Sequence, residues 1–262
     1  MPREHGATAM LLIPFFSAAA LARDWRWAEL VTLLAAFSIF TAKDPLIVLA
    51  RRRWIWRQSR PESDTASTWV VGEALILAAC GIALATSWPP WTLAAAGTGA
   101  IAFSALAVFV NVKNLQRSTL FQIVSAVALS ATALAACLSA TGAIQPWCWQ
   151  LWTLNSLQAI AGILVVHARL EARIAARKNL SSEIHRRPAL IACVVLLCAA
   201  AATALTGERW IAAALLLAGI GYLYDLHRQK DSASLQMPLK SIGLQALALS
   251  IAYALMVVAG LW

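Results

Sequence analysis

Apolar residues in this chain do not alternate with polar ones at the period of a half-buried strand, nor stripe one face of a surface helix. They run on in long blocks separated by short clusters of Arg, Lys, Asp, Glu, Pro and Ser. Nine blocks stand out, over residues 7–22, 30–50, 69–87, 92–112, 119–141, 149–168, 188–206, 210–226 and 242–262, the first and eighth being short. A helix needs about 20 residues to cross roughly 30 Å of hydrocarbon. The pattern therefore predicts an all-α, polytopic membrane helix bundle of about nine transmembrane helices. No soluble module interrupts the blocks and no internal repeat stands out, so residues 1–262 read as a single integral membrane domain.

Charge orients the bundle. With Lys43 set aside as intramembrane, 17 of the other 20 Lys and Arg residues fall in alternate connections. One set holds Arg3, Arg51 to Arg53, Arg57, Arg60, Lys113, Arg117, Arg169, Arg173, Arg177, Lys178, Arg186, Arg187, Arg228, Lys230 and Lys240; the other holds only Arg23, Arg26 and Arg209. Cationic loops stay on the cytoplasmic side, which predicts a cytoplasmic N-terminus, an outside C-terminus and an odd number of spans. Tryptophan agrees, since all twelve lie at or near block ends, where an amphipathic ring prefers the headgroup layer. The net charge of +9 is spread over several inner loops, so the expected contact is anionic headgroups and no nucleic acid. The first block lacks the basic leader and small-residue cleavage pattern of a signal peptide and reads as a retained span.

Five cysteines, Cys80, Cys137, Cys148, Cys193 and Cys198, form no C-x-x-C pair, and four lie inside apolar blocks. They read as small packing residues, with Cys148 alone at the oxidising face and an intrachain disulfide not expected. Ala199 to Ala202, Ala212 to Ala214 and Gly97-Thr98-Gly99 read as small-residue surfaces for close helix contact.

Ionisable groups within a membrane are costly and are functional candidates by default. Here they collect in the cytoplasmic half. Glu4 and His5 stand at the mouth of the first block, beside Gly6. The second carries Thr41-Ala-Lys43-Asp44-Pro45, where Pro45 withholds a donor from the Thr41 carbonyl and predicts a kink or break. Glu73 lies one turn into the third block, and a Lys43–Glu73 pair would remove two charges from lipid. Tyr222 and Tyr224 read as residues of the aromatic belt, next to Asp225. After His167, Arg169, Arg173 and Arg177 recur every four residues, striping one face of a helix that continues into the cytoplasm. Such a stripe can bind phosphate or lie on anionic lipid. His5 and His167 are the acid–base candidates; their spacing does not support haem, and no metal and no cofactor is expected.

The stretch Pro2-Arg-Glu-His-Gly-Ala-Thr-Ala-Met10-Leu-Leu-Ile-Pro14, with Lys43-Asp44-Pro45 and the basic inner loops, resembles the YwiC-like family of bacterial integral membrane proteins. More distantly, the nine-span pattern is similar to UbiA-type intramembrane prenyltransferases, whose aspartate-rich motifs after the second and sixth spans hold Mg²⁺ on a prenyl diphosphate. At those positions this chain offers Asp44 and Glu171 amid Lys and Arg, too few acids for that metal. The resemblances imply the bacterial cytoplasmic (inner) membrane and a cytoplasm-facing polar pocket.

These readings combine as a pocket for an anionic, lipid-tailed molecule, with Lys43, Asp44, Glu73, Arg169 and Arg173 as ligand-binding residues and His5 and His167 as catalytic candidates. The expected partners are membrane lipids, including an isoprenoid or quinone-like lipid. The alternatives are a small-molecule transporter, for which Pro45 would be a hinge, and a membrane accessory or assembly protein docked through its basic loops.

Overall fold

The computed structural model describes residues 5–56, 61–115, 118–178 and 183–262, and among these every regular element is helical. The helices are α1 (His5–Ala22), α2 (Trp27–Arg51), α3 (Pro61–Leu84), α4 (Pro90–Val112), α5 (Thr119–Ser130), α6 (Thr132–Thr141), α7 (Pro146–Lys178), α8 (Glu183–Leu205), α9 (Arg209–Arg228), α10 (Ser232–Leu235) and α11 (Leu239–Leu261). A π-helical turn, Arg52–Trp56, extends α2. Among the described residues, eight segments are long and apolar enough to cross a membrane, with α5 and α6 counting as one, and Gly6–Ala22 is a ninth, shorter apolar helix. The eighth block, expected to be short, forms the 20-residue α9.

Proline starts several helices, since Pro90 and Pro146 take the first helical position, where a missing N–H costs nothing. Inside α2 the outcome differs from the expectation. The helix runs on through Pro45 without a break. One proline removes a single backbone bond and leaves those on either side intact. The interruption falls instead at Ala131, between α5 and α6, where neither Pro nor Gly marks the sequence. There the Thr132 hydroxyl donates to the Leu129 carbonyl at 2.9 Å and across to the Leu11 carbonyl of α1 at 2.8 Å.

The core lies among α1, α6, α7, α8, α9 and α11. Phe15, Ala18, Ala133, Leu151, Cys193, Leu215, Ala218, Tyr253 and Val257 join in one buried cluster. α8 lies along α9, and α9 along α11. The alanine runs serve this purpose in part: Ala200, Ala212 and Ala214 are buried between these helices, while Ala201 and Ala202 are exposed. Close approach is greatest at Gly260, where a side-chain carbon would sit 2.7 Å from Ile211 Cγ1 and 3.1 Å from its backbone nitrogen. Gly97 and Gly99 do not act this way. Nothing lies within 4 Å of where their side chains would start, because α4 packs mainly on α2 and both glycines lie on exposed parts of its surface. Most described tryptophans are exposed at helix ends, but Trp88 is buried and donates from Nε1 to the Ser139 hydroxyl at 3.2 Å.

The cysteine reading is corrected at the same end. Gly142, at φ +75°, closes α6 with a left-handed turn. That turn folds the start of α7 back on the end of α6, and Cys137 and Cys148 form a disulfide with their Cα atoms 6.3 Å apart. A cysteine inside an apolar block reaches one at the block's edge because the chain reverses between them. Cys80, Cys193 and Cys198 are free.

Two outcomes follow. Alkylation of the denatured, unreduced protein should add three adducts, rising to five after reduction, as read by intact mass. Gly260→Leu should lower stability by about 2 kcal/mol through overpacking, whereas Gly97→Leu should leave thermal unfolding in detergent unchanged.

Candidate functional site

α7 is the longest helix, 33 residues or about 50 Å, and half of its most apolar stretch is buried. Residues two apart on a helix project about 200° apart, so His167 and Arg169 leave α7 on opposite sides. His167 turns to α5, its Nε2 2.9 Å from Gln122 Oε1 and its Nδ1 3.4 Å from the Thr119 hydroxyl. Arg169 turns to α9 and is 3 % exposed. Its guanidinium donates to the Asp225 carboxylate from one terminal nitrogen and to the Ser234 carbonyl, at 3.3 Å, from the other. Gln229 completes the contact, donating 3.2 Å to the other Asp225 oxygen and 3.4 Å to the Val165 carbonyl of α7.

Further arginines meet at this end of α9. One turn beyond Arg169, Arg173 donates to the Met237 carbonyl in the connection to α11. Arg186 of α8 donates 3.1 Å to the Leu226 carbonyl in the last turn of α9, where helix carbonyls lack intrahelical donors. Arg228 stands over the Tyr224 ring and 3.5 Å from the Met237 sulfur. The buried Nε atoms of Arg169, Arg173 and Arg186, and the Ser234 hydroxyl, have no hydrogen-bond partner. The cluster gathers four guanidinium groups, of which Arg169 pairs with Asp225.

The other expected site residues lie elsewhere. On α2 and α3, Glu73 is buried and takes a hydrogen bond of 2.8 Å from the Thr41 hydroxyl, while its second oxygen has no partner. Among the described residues Lys43 and Glu73 are not an ion pair; the Lys43 ammonium lies 5.4 Å from the Phe40 ring centre, one of its contacts. Asp44, one residue on, is exposed. Arg51 donates 3.2 Å to the Asn111 carbonyl of α4. His5 opens α1, and its side chain lies outside the described residues, as does all of Glu4. Of the seven expected site residues, Arg169 and Arg173 share one cluster, Lys43, Asp44 and Glu73 lie on the α2–α3 pair, and His167 faces α5.

A polar network deep in the bundle went unread in the sequence. Gln158 of α7 donates from its amide nitrogen to the Tyr222 hydroxyl of α9 at 2.7 Å and to Ser250 of α11 at 2.9 Å. Tyr253 donates 2.9 Å to the Leu154 carbonyl. Tyr222, read as a belt residue, is instead buried, with its hydroxyl 2.9 Å from where a side chain on Gly162 would begin. The available signal was a glutamine in the middle of an apolar block, a position lipid does not tolerate without a partner. The network joins three helices and, being neutral and filled, is an interhelical tie.

Neither the curated proteins nor the solved structures include a match to this chain. A model of the family described as YwiC-like protein matches residues 1–137, from the N-terminal stretch to within α6 and just over half of the sequence, and this multi-pass membrane chain belongs to that family.

Proposed function

We propose that this protein holds an anionic, lipid-tailed molecule at the inner end of α7, α8, α9 and α10, with Arg169, Arg173 and Arg186 meeting its acidic head. The observation that carries this reading is the set of four buried polar atoms without partners, three arginine Nε–H donors and the Ser234 hydroxyl, around one helix end. Buried polar groups in folded proteins are nearly always hydrogen-bonded. Donors held together and short of acceptors suit a group rich in acceptor oxygens, a phosphate or diphosphate above all. Apolar side chains exposed beside the cluster, Ile174, Leu190 and Ile220 among them, offer a lipid tail its surface.

On this reading the protein is UbiA-like in arrangement but without the metal-binding aspartates, residues 1–262 are a single membrane domain, and it sits in the bacterial cytoplasmic membrane with its N-terminus inside. An isoprenoid or quinone-like lipid is the proposed guest. His5 and His167 stay proposed as acid–base groups, whereas Lys43, Asp44 and Glu73 lie on the α2–α3 pair, away from this cluster, and are not assigned to the same guest. A transporter is less favoured, because its hinge was to be a break at Pro45 and α2 is continuous there.

Removing one partner of a buried ion pair strands the other charge, at a cost of about 3–5 kcal/mol, whereas removing both costs less. Arg169→Ala should therefore unfold more readily than Arg169→Ala/Asp225→Ala in thermal melts in detergent; equal losses would show that Asp225 is solvated without its partner. Native mass spectrometry of protein purified in mild detergent tests the site itself. The wild type should retain an anionic lipid that Arg173→Ala/Arg186→Ala loses, and identical lipid profiles would overturn the reading.

A further inference from the structure

α3 carries a second candidate site, independent of the arginine cluster. An open cavity of about 580 Å³ runs along one face of its inner half, its described lining drawn from α3 alone: Asp64, Thr68, Trp69, Gly72, Glu73 and Ile76 among others. Asp64, Thr68, Gly72 and Ile76 recur every four residues and form one stripe, with Trp69 and Glu73 on the stripe beside it. Gly72 opens the middle of this wall, since nothing lies within 4 Å of where its side chain would begin.

The charge of the site is set inside it. Asp64, at the mouth, is exposed and already meets Arg52 at 3.6 Å. Glu73 lies nine residues further on, about 14 Å along the helix, and is 9 % exposed. Only one of its oxygens is bonded, to Thr41; the other is buried and has no partner. A carboxylate so placed favours a cation able to donate to it. Mg²⁺ and Ca²⁺ need six or more oxygen ligands, and the interior offers one carboxylate and threonine hydroxyls. The indole of Trp69, one turn towards the mouth, is 63 % exposed and presents a π face, which attracts organic cations.

We propose that this cavity binds an organic ammonium ion with an apolar body. The ammonium donates to the unpartnered Glu73 oxygen, Trp69 covers it, and the apolar body lies along Gly72 and Ile76. Asp64 draws the cation to the mouth.

The test is calorimetric titration of the full chain in dodecyl maltoside with phenethylammonium, using 2-phenylethanol as a neutral probe of the same shape. The wild type should bind the ammonium saturably and the alcohol at least tenfold more weakly. Glu73→Gln, shown to be folded by an unchanged melting temperature, should weaken ammonium binding about tenfold or more, the worth of one charge-assisted hydrogen bond. Trp69→Leu should weaken it severalfold without touching the core, and it carries the test if Glu73→Gln does not fold. Equal binding of ammonium and alcohol by the wild type, or unchanged ammonium affinity in a folded Glu73→Gln or in Trp69→Leu, overturns the proposal.

Discussion

A guanidinium inside a helical bundle has to bring its counter-charge with it, and the end of the bundle where α7 meets α9 is arranged around that requirement. Arg169 reaches Asp225 only if α7 and α9 lie side by side in one register. Gln229 then bridges the same carboxylate back to the α7 backbone, and the connection after α9 must fold under α7 for Ser234 and Met237 to offer their carbonyls. A charge pair in low dielectric is unforgiving of displacement. The chain between α9 and α11 is fixed less by its own propensities than by the arginines that need its carbonyls. The same geometry leaves arginine donors pointing at no protein acceptor, so one arrangement both holds the fold and makes a site.

The two polar systems on α7 solve different problems. Deep in the bundle the groups are neutral and their hydrogen bonds close on one another, so Gln158, Tyr222 and Ser250 hold α7, α9 and α11 together with little left over. Towards the inner end the groups are charged and the bonding is incomplete. Lipid as solvent accounts for the contrast. A polar side chain surrounded by hydrocarbon must find all its partners within the protein, whereas one near the headgroups can share them with an anion or with water.

The polytopic helical bundle was legible because apolar blocks of membrane length have few other uses, though helix ends such as the start of α3 at Pro61 and the split of one block into α5 and α6 were not; the stripe of Arg169 and Arg173 was legible because a four-residue spacing survives any packing. What each stripe faces was not. Nothing in the spacing of His167 and Arg169 says that the first meets Gln122 and the second Asp225, since both choices depend on which helices flank α7. The Ala131 interruption lacked any local marker and follows from a tertiary bond, Thr132 to Leu11. The Cys137–Cys148 bond depends on the reversal of the chain at Gly142. Pro45 misled in the opposite sense, as a strong local signal overridden by the regular turns on either side. The split between the α2–α3 acids and the α7 arginines likewise came from helix order in space, which charge sorting by side of the membrane cannot supply.

α3 and α4 join the rest chiefly through α2, and only 17 % and 11 % of their most apolar stretches are buried, against 50 % for α7. Most of their perimeter is solvated by acyl chains. Their tilt is then set as much by bilayer thickness and lateral pressure as by side-chain complementarity. The cavity wall formed by Asp64, Trp69 and Glu73 belongs to this loosely held pair. Its width becomes a property of protein and bilayer together, so a change in acyl-chain length would alter the shape of that chamber while the α7–α9 contacts stayed as they are.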